Sequence, residues 1–258
     1  MRQRYIDSHF VKLTEEQAAC ATRTAFGETD FRLNFIIDTW LKAQHFIGEL
    51  EPATTDQGCF QSYAYFQCLQ SPYTLLTVYE LWRRASYVEA SILLRHSLEV
   101  FVQLRYFQKH PELCMNHVTE QPKGRVRFQT MFDAVAPGLY DVAYRNLSKI
   151  THGNMILGFR GALSASTSQI GQHTVPVLVG AQFEQNLSML VHAFYIITML
   201  GHLNYYPQFF PKNTIASDAT LVEDLSDAQK WLESVFELKR NNVNDPALFD
   251  TARPLAFI

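Results

Sequence analysis

The sequence predicts a mainly α-helical protein: a single helical bundle with a small β-hairpin insertion at about residues 155–180. Three observations carry that prediction. Apolar residues recur at three- and four-residue steps along most of the chain, the rhythm of amphipathic helices. Prolines and capping residues interrupt the rhythm at helical intervals. One stretch, Met155 to Gln182, breaks it: it is rich in Gly, Ser and Thr, and Arg160 is its only charge.

Composition fits a packed chain. Of 258 residues, 47% are apolar and 18% are charged, and the formal net charge is -3. Disorder requires the opposite balance. Eleven Gly and ten Pro exclude collagen-like or low-complexity sequence. With 19 Phe and 12 Tyr, the core is expected to be aromatic-rich. The length allows one large domain or two small ones. No internal repeat and no long linker divides it, so residues 1–258 are expected to form one α-helical domain, with a motif-bearing core at about 73–206.

The elements follow in order. Thr14, with Glu15, Glu16 and Gln17 behind it, caps a helix running to Phe26. Asp30 to Leu50 is the second helix, with Phe31, Phe35, Ile36, Trp40 and Ile47 at helical steps. Glu51 to Gly58 reads as a loop, and Gln61 to Leu69 as a short helix ended by Pro72. Tyr73 to Lys109 is the longest predicted helix; Ser86 and Tyr87 offer a bend, and Pro111 stops it. A polar linker with Pro122 and Gly124 leads to helices at Arg125–Val135 and Gly138–His152, divided by Pro137. Gly153 and Asn154 supply the second one's C-cap. In the insertion, Val175–Val179 reads as a strand with Met155–Phe159 as partner, and Pro176 confines it to a sheet edge. A long apolar helix, Ala181–Tyr206, and a final one, Asp218–Arg240, complete the chain. Ser217 or Asp218 caps the last, and Lys239 and Arg240 complement its C-terminal dipole.

The cysteines, Cys20, Cys59, Cys68 and Cys114, form no C-x-x-C and no zinc-type spacing. They read as thiols in a reducing cytoplasm. The N-terminus lacks the apolar stretch of a signal peptide. Leu187–Leu203, the most apolar run, is barely of spanning length and contains His192 and His202, so it reads as a buried core helix with both histidines in the core. His117, Glu112 and Cys114 make no metal cluster. The expectation is a cytoplasmic protein with no membrane segment, no metal and no cofactor. P-loop, dinucleotide-binding, zincin and serine-hydrolase motifs are absent.

Charge is unevenly spread. Residues 83–160 hold eleven Lys/Arg and six Asp/Glu, a balance of +5; the remainder holds eleven and nineteen, a balance of -8. The basic part suits an anionic ligand or an RNA backbone, or an ordinary solvated surface. Within it lies Tyr144-Arg145-Asn146-Leu147-Ser148-Lys149-Ile150-Thr151-His152-Gly153. Seven residues on an α-helix turn about 700°, so Arg145 and His152 share a face to within roughly 20°. Ser148 and Lys149 lie between them, and Asp141 is one turn before Arg145, placed for an ion pair. Histidine exchanges a proton near pH 7, and arginine holds phosphate and stabilises the charge of a phosphorane-like transition state. The C-terminal dipole of the helix favours the imidazolium form of His152, suited to a general acid.

Arg145-Asn146, five residues and His152 resemble the signature of the HEPN superfamily (higher eukaryotes and prokaryotes nucleotide-binding). The resemblance implies a helical bundle acting as a metal-independent endoribonuclease, in toxin–antitoxin or phage-defence systems. It implies a homodimer that joins two motifs into one composite site. Arg145 and His152 would be the catalytic pair, Asn146 their polar neighbour, RNA the substrate and an antitoxin or other protein the partner. Leu94-Arg95-His96-Ser97-Leu98-Glu99, taken with the 144–153 segment, also looks like an uncharacterised bacterial helical family with Arg-x-x-x-Glu and Ser-x-x-x-His segments. That likeness, over about residues 75–155, implies that Arg95, Glu99, Ser148 and His152 meet in space and organise the site.

Plainer roles exist for the same residues. Arg95 and Glu99 suit an intrahelical i, i+4 pair or a buried pair joining helices. His152 suits a helix C-cap. The aromatic clusters Tyr63–Phe66 and Tyr205–Phe210 suit core packing or an interaction surface. The alternative function is a non-catalytic helical binding protein, and a third is a helical oligomer without a small-molecule site.

Overall fold

One glycine separates the first two helices. α1 (Ser8–Phe26) ends where Gly27 takes a φ of 45° and its N–H bonds the Arg23 carbonyl at 2.8 Å. α2 (Glu28–Ala43) follows at once. The computed structural model describes residues 8–43, 55–119, 126–145, 147–148, 167–170, 173–176, 185–206, 218–242 and 246–257. α1 starts six residues earlier than Thr14, and the predicted end of α2 at 44–50 lies outside the described residues.

The next two boundaries differ from the sequence reading. α3 (Asp56–Arg83) is capped by Thr55, whose hydroxyl accepts the Gly58 N–H at 3.2 Å. It runs straight through Pro72. A mid-helix proline costs about 3 kcal/mol. Burying one large apolar side chain returns roughly 1.5–3 kcal/mol, and α3 buries Phe60, Leu75, Val78, Tyr79 and Trp82. Packing therefore wins over local propensity.

The predicted 73–109 helix breaks instead after Arg84. The Ser86 N–H bonds the Leu81 carbonyl and the Ala85 N–H the Trp82 carbonyl, at 2.9 and 3.0 Å. This is a Schellman cap with alanine, at φ 59°, where glycine is usual.

α4 (Tyr87–Lys109) stops before Pro111 as predicted. A 3₁₀ turn (Pro111–Leu113) leads into the short α5 (Cys114–Val118). α6 (Phe128–Val135) begins three residues after Arg125. Gly138, at φ 82°, then turns the chain into a π-helical turn, Tyr140–Tyr144, in which the Arg145 N–H reaches back to the Tyr140 carbonyl. Helix continues at Arg145, Leu147 and Ser148; the predicted end at His152 and its Gly153-Asn154 cap lie outside the described residues.

The body is all-helical. The predicted hairpin of Met155–Phe159 against Val175–Val179 is not seen. Val175 instead faces Ser168 in a four-residue antiparallel ladder, β1 (Thr167–Ile170) with β2 (His173–Pro176). Two intervening residues close a loop more cheaply than fifteen. Residues 155–159 and 177–179 lie outside the described residues.

α7 (Gln185–Tyr205) is the helix around which the others assemble, touching α3, α4 and the two helices that follow it. These are α8 (Ala219–Asn242), capped by the Asp218 carboxylate on the Leu221 N–H at 3.0 Å, and α9 (Ala247–Ala256). α9 was not expected from the sequence, because it is short and carries Pro254, yet it buries Phe249, Ala252, Leu255 and Ala256. Val191, Phe194, Ile196, Ile197, Met199 and Leu200 of α7 are all buried. A Cβ on Gly201 would stand 2.5 Å from Phe101 Cε1 and 3.2 Å from the Leu255 carbonyl, so glycine is what lets α4 and α9 close on α7. Among the described residues no helix is long and apolar enough to cross a membrane.

His192 and His202 are in this core, as the sequence reading expected. His192 stacks on Trp82 at 5.2 Å, beside Phe26. His202 is enclosed by Trp40, Phe101 and Tyr206. Their ring nitrogens are buried without hydrogen-bond partners. Burial, reinforced by Lys239, holds the His192 pKa far below its usual value, and burial alone takes His202 to about 3.

Two outcomes follow from these features. Ala85→Gly relieves the left-handed strain and should raise stability by about 1 kcal/mol, seen as a higher urea midpoint; a lower midpoint would show that the methyl packs more than it strains. Both buried histidines are neutral when folded but titrate near pH 6.5 when unfolded. Below that pH the unfolded chain binds the extra protons, so stability should fall as pH drops from 7 to 5, by up to roughly 1 kcal/mol per unit for each histidine. His202→Leu should flatten that slope, and an unchanged slope would mean that His202 does not contribute to it.

Candidate functional site

The site residues come from two elements. Arg95 and Glu99 lie one turn apart on α4, whose contacts include α6 and α7. Tyr144 and Arg145 lie where the π-turn passes into helix. Tyr144 is buried, stacked between Phe128 (interplanar angle 13°) and Tyr140 (25°). Its hydroxyl reaches the α4 pair.

The result is a closed triangle. Arg95 Nε donates to Glu99 Oε1 at 2.9 Å, and Arg95 Nη2 donates to the Tyr144 hydroxyl at 2.7 Å. The Tyr144 hydroxyl is in turn hydrogen-bonded to Glu99. The guanidinium carbon also lies 4.9 Å from the Tyr144 ring centroid. Burial, with Glu99 as hydrogen-bond acceptor, pushes the Tyr144 hydroxyl up to about 12, so it remains a donor. Burial opposes the charge on Arg95, but Tyr144 and Glu99 together outweigh it and raise its pKa. Both α4 side chains are about one-fifth exposed, 22% and 21%. Arg95–Glu99 is thus both the expected i, i+4 pair and a clasp on another element.

The same design occurs once more in the fold. Tyr79 donates to Asp30 Oδ1 at 3.0 Å, Arg83 Nε lies 3.3 Å from that same oxygen, and the Arg83 guanidinium lies 5.3 Å from the Tyr79 ring. That cluster fastens α3 to α2. A tyrosine held between an arginine and a carboxylate is therefore this protein's way of locking elements together, and the Arg95 triangle locks Tyr144 onto α4.

Arg145 points elsewhere. Its side chain is 60% exposed, and Nη1 lies 3.3 Å from Asp141 Oδ1, the ion pair expected from the spacing. Asp141 is equally exposed, so the pair is worth a few tenths of a kcal/mol. Leu147 is fully buried and Ser148 half-buried, and both are helical. Asn146, Lys149 and His152 lie outside the described residues. The structure thus brings Arg95 and Glu99 together with Tyr144, and it sets Arg145 on the surface beside them. Tyr144 was missed by the sequence reading. Its only signal is the four-residue spacing from Tyr140, and that spacing does not reveal a partner on α4. Among the described residues no three His, Cys, Asp or Glu side chains group so as to hold a metal ion.

Comparison with protein-family models, with curated proteins and with solved structures finds no match for this chain. The argument for function rests on the residues themselves.

The triangle makes a measurable claim. Tyr144→Phe removes one hydroxyl from a half-buried charged pair and should cost about 1–2 kcal/mol in urea unfolding. In Arg95→Ala the same change should cost much less, because the arginine partner is already gone. Equal costs in both backgrounds would mean that Tyr144 is not coupled to Arg95.

Proposed function

We propose that this protein is a metal-independent endoribonuclease of HEPN-like type. The observation that supports the reading is the placement of Arg145. Its guanidinium is in solvent, held only loosely by an exposed carboxylate, on a backbone fixed to α4 through Tyr144. A phosphate competes readily for such a cation, and bidentate binding makes the exchange favourable.

In this reading Arg145 holds the scissile phosphate and stabilises the charge that builds on its oxygens. The ribose 2′-oxygen attacks phosphorus and the bond to the 5′-oxygen breaks. His152 transfers protons, delivering one to the departing oxygen. The products are a 2′,3′-cyclic phosphate and a 5′-hydroxyl. Arg95 and Glu99 are positioning residues that act through Tyr144, while Asn146 and Ser148 complete the polar surroundings. A cytoplasmic homodimer, with two motifs in one composite site, and an antitoxin or other protein partner in toxin–antitoxin or phage-defence biology belong to the same proposal.

The alternative is a non-catalytic binding protein. One observation favours it: the Arg95–Tyr144–Glu99 triangle closes on itself, which suits a fixed scaffold as well as it suits a reaction.

Incubating the purified protein with total RNA in EDTA separates the two. Cleavage leaving 2′,3′-cyclic phosphate ends is expected, lost in Arg145→Ala and in His152→Ala at unchanged thermal midpoints. A folded wild-type protein that leaves RNA intact would favour the binding reading. Variants that lose activity only by unfolding would make both residues structural.

A further inference from the structure

Cys59 and Cys114 are far apart in sequence and meet in the fold. Cys59 lies in the first turn of α3, and Cys114 opens α5, which packs against α3. Their thiols are hydrogen-bonded to each other. A third sulfur joins them: Met115 Sδ is 3.9 Å from Cys59 Sγ. Cys59 and Cys114 are buried, whereas Met115 is 42% exposed, so the cluster opens to solvent on the methionine side. No disulfide links the cysteines.

Two buried thiols in contact are well explained as small apolar groups. The converging thioether is not required by that explanation. Thiolate and thioether sulfurs together form a soft donor set, which selects monovalent copper. Zinc is poorly served, since its structural sites take four ligands and prefer imidazole or carboxylate to thioether. The spacing also fits. A metal bonded to three sulfurs at about 2.3 Å in a plane holds them about 4.0 Å apart, and the Cys59–Met115 distance is already 3.9 Å.

We propose that Cys59, Cys114 and Met115 form a three-sulfur binding site for Cu(I). Binding involves no electron transfer. Two Cu–thiolate bonds and one Cu–thioether bond form as each thiol gives its proton to solvent. Tyr63, whose hydroxyl donates to Gln103 at 2.7 Å, and His117, packed on the Tyr63 and Phe107 rings, line the surroundings without entering the donor set. The site is independent of the ribonuclease reading, because it shares no residue with Arg145 or the α4 triangle.

The test is an anaerobic titration of the full chain with Cu(I) against a chromophoric copper chelator. Cys20→Ser serves as the background, which removes the one exposed thiol. One copper per chain is expected, with three sulfur neighbours at about 2.3 Å in X-ray absorption. Cys59→Ser or Cys114→Ser should weaken retention by at least about 100-fold, since loss of a mere outer-shell partner already costs 10–100-fold. Met115→Leu keeps volume and alters a partly exposed position, so its circular dichroism should be unchanged while the sulfur count falls from three to two. Copper surrendered as readily by the parent as by Cys59→Ser would overturn the site. So would a sulfur count that Met115→Leu does not change, and that result stands even where the cysteine variants fail to fold.

Discussion

The burial of α7 on every side is the constraint from which the rest follows. A helix apolar all round has no solvent face, so neighbours must enclose it. α3, α4, α8 and α9 do so. Enclosure leaves few routes for polar groups, and each large aromatic finds one. Trp82 Nε1 donates to the Ser188 hydroxyl and carbonyl, the Tyr195 hydroxyl to the Leu75 carbonyl, and the Tyr205 hydroxyl to the Leu104 carbonyl. These bonds fix the axial position of α7, which apolar packing alone leaves free to slide. The histidines are the cost. Each leaves two ring nitrogens without partners in an aromatic enclosure, a desolvation penalty that the surrounding packing outweighs.

Around that centre the peripheral elements are held by a repeated charged device. In both Arg–Tyr–carboxylate clusters the tyrosine ring lies under the guanidinium and its hydroxyl meets the acid. Such clusters are sensitive to removal of any one member, because the remaining charge stays partly desolvated. They also bear on function. The repeat shows that the Arg95 triangle needs no catalytic role to account for its presence, and it moves the chemical interest one residue on, to Arg145.

Much of the helical body was legible from period and caps. The cap at Asp218, the stop before Pro111 and the buried character of the 185–205 helix all follow from local chemistry. The errors share one cause, tertiary packing overriding a local signal. Pro72 reads as a stop until the apolar side chains buried along α3 are counted. Ala85 gives no warning of a left-handed cap, since alanine is the strongest helix former. α9 is too short for its period to stand out. At the site, the Asp141–Arg145 pair was legible because it is intrahelical, whereas Tyr144 was not, because its partners are forty-five and forty-nine residues away on another helix.

The π-turn at Tyr140–Tyr144 carries one more consequence. A π-turn holds one residue more than an α-turn over the same rise, so this segment has a fixed length as well as a fixed composition. Deleting a single residue there would restore regular α-geometry and rotate all that follows by about 100°. Leu147 would leave the core, and Arg145 would leave its surface position. Substitutions at exposed positions in this stretch change one side chain, whereas a one-residue deletion resets the whole downstream face. The reading frame of the helix, counted from Gly138, is thus what decides which side of the segment meets water.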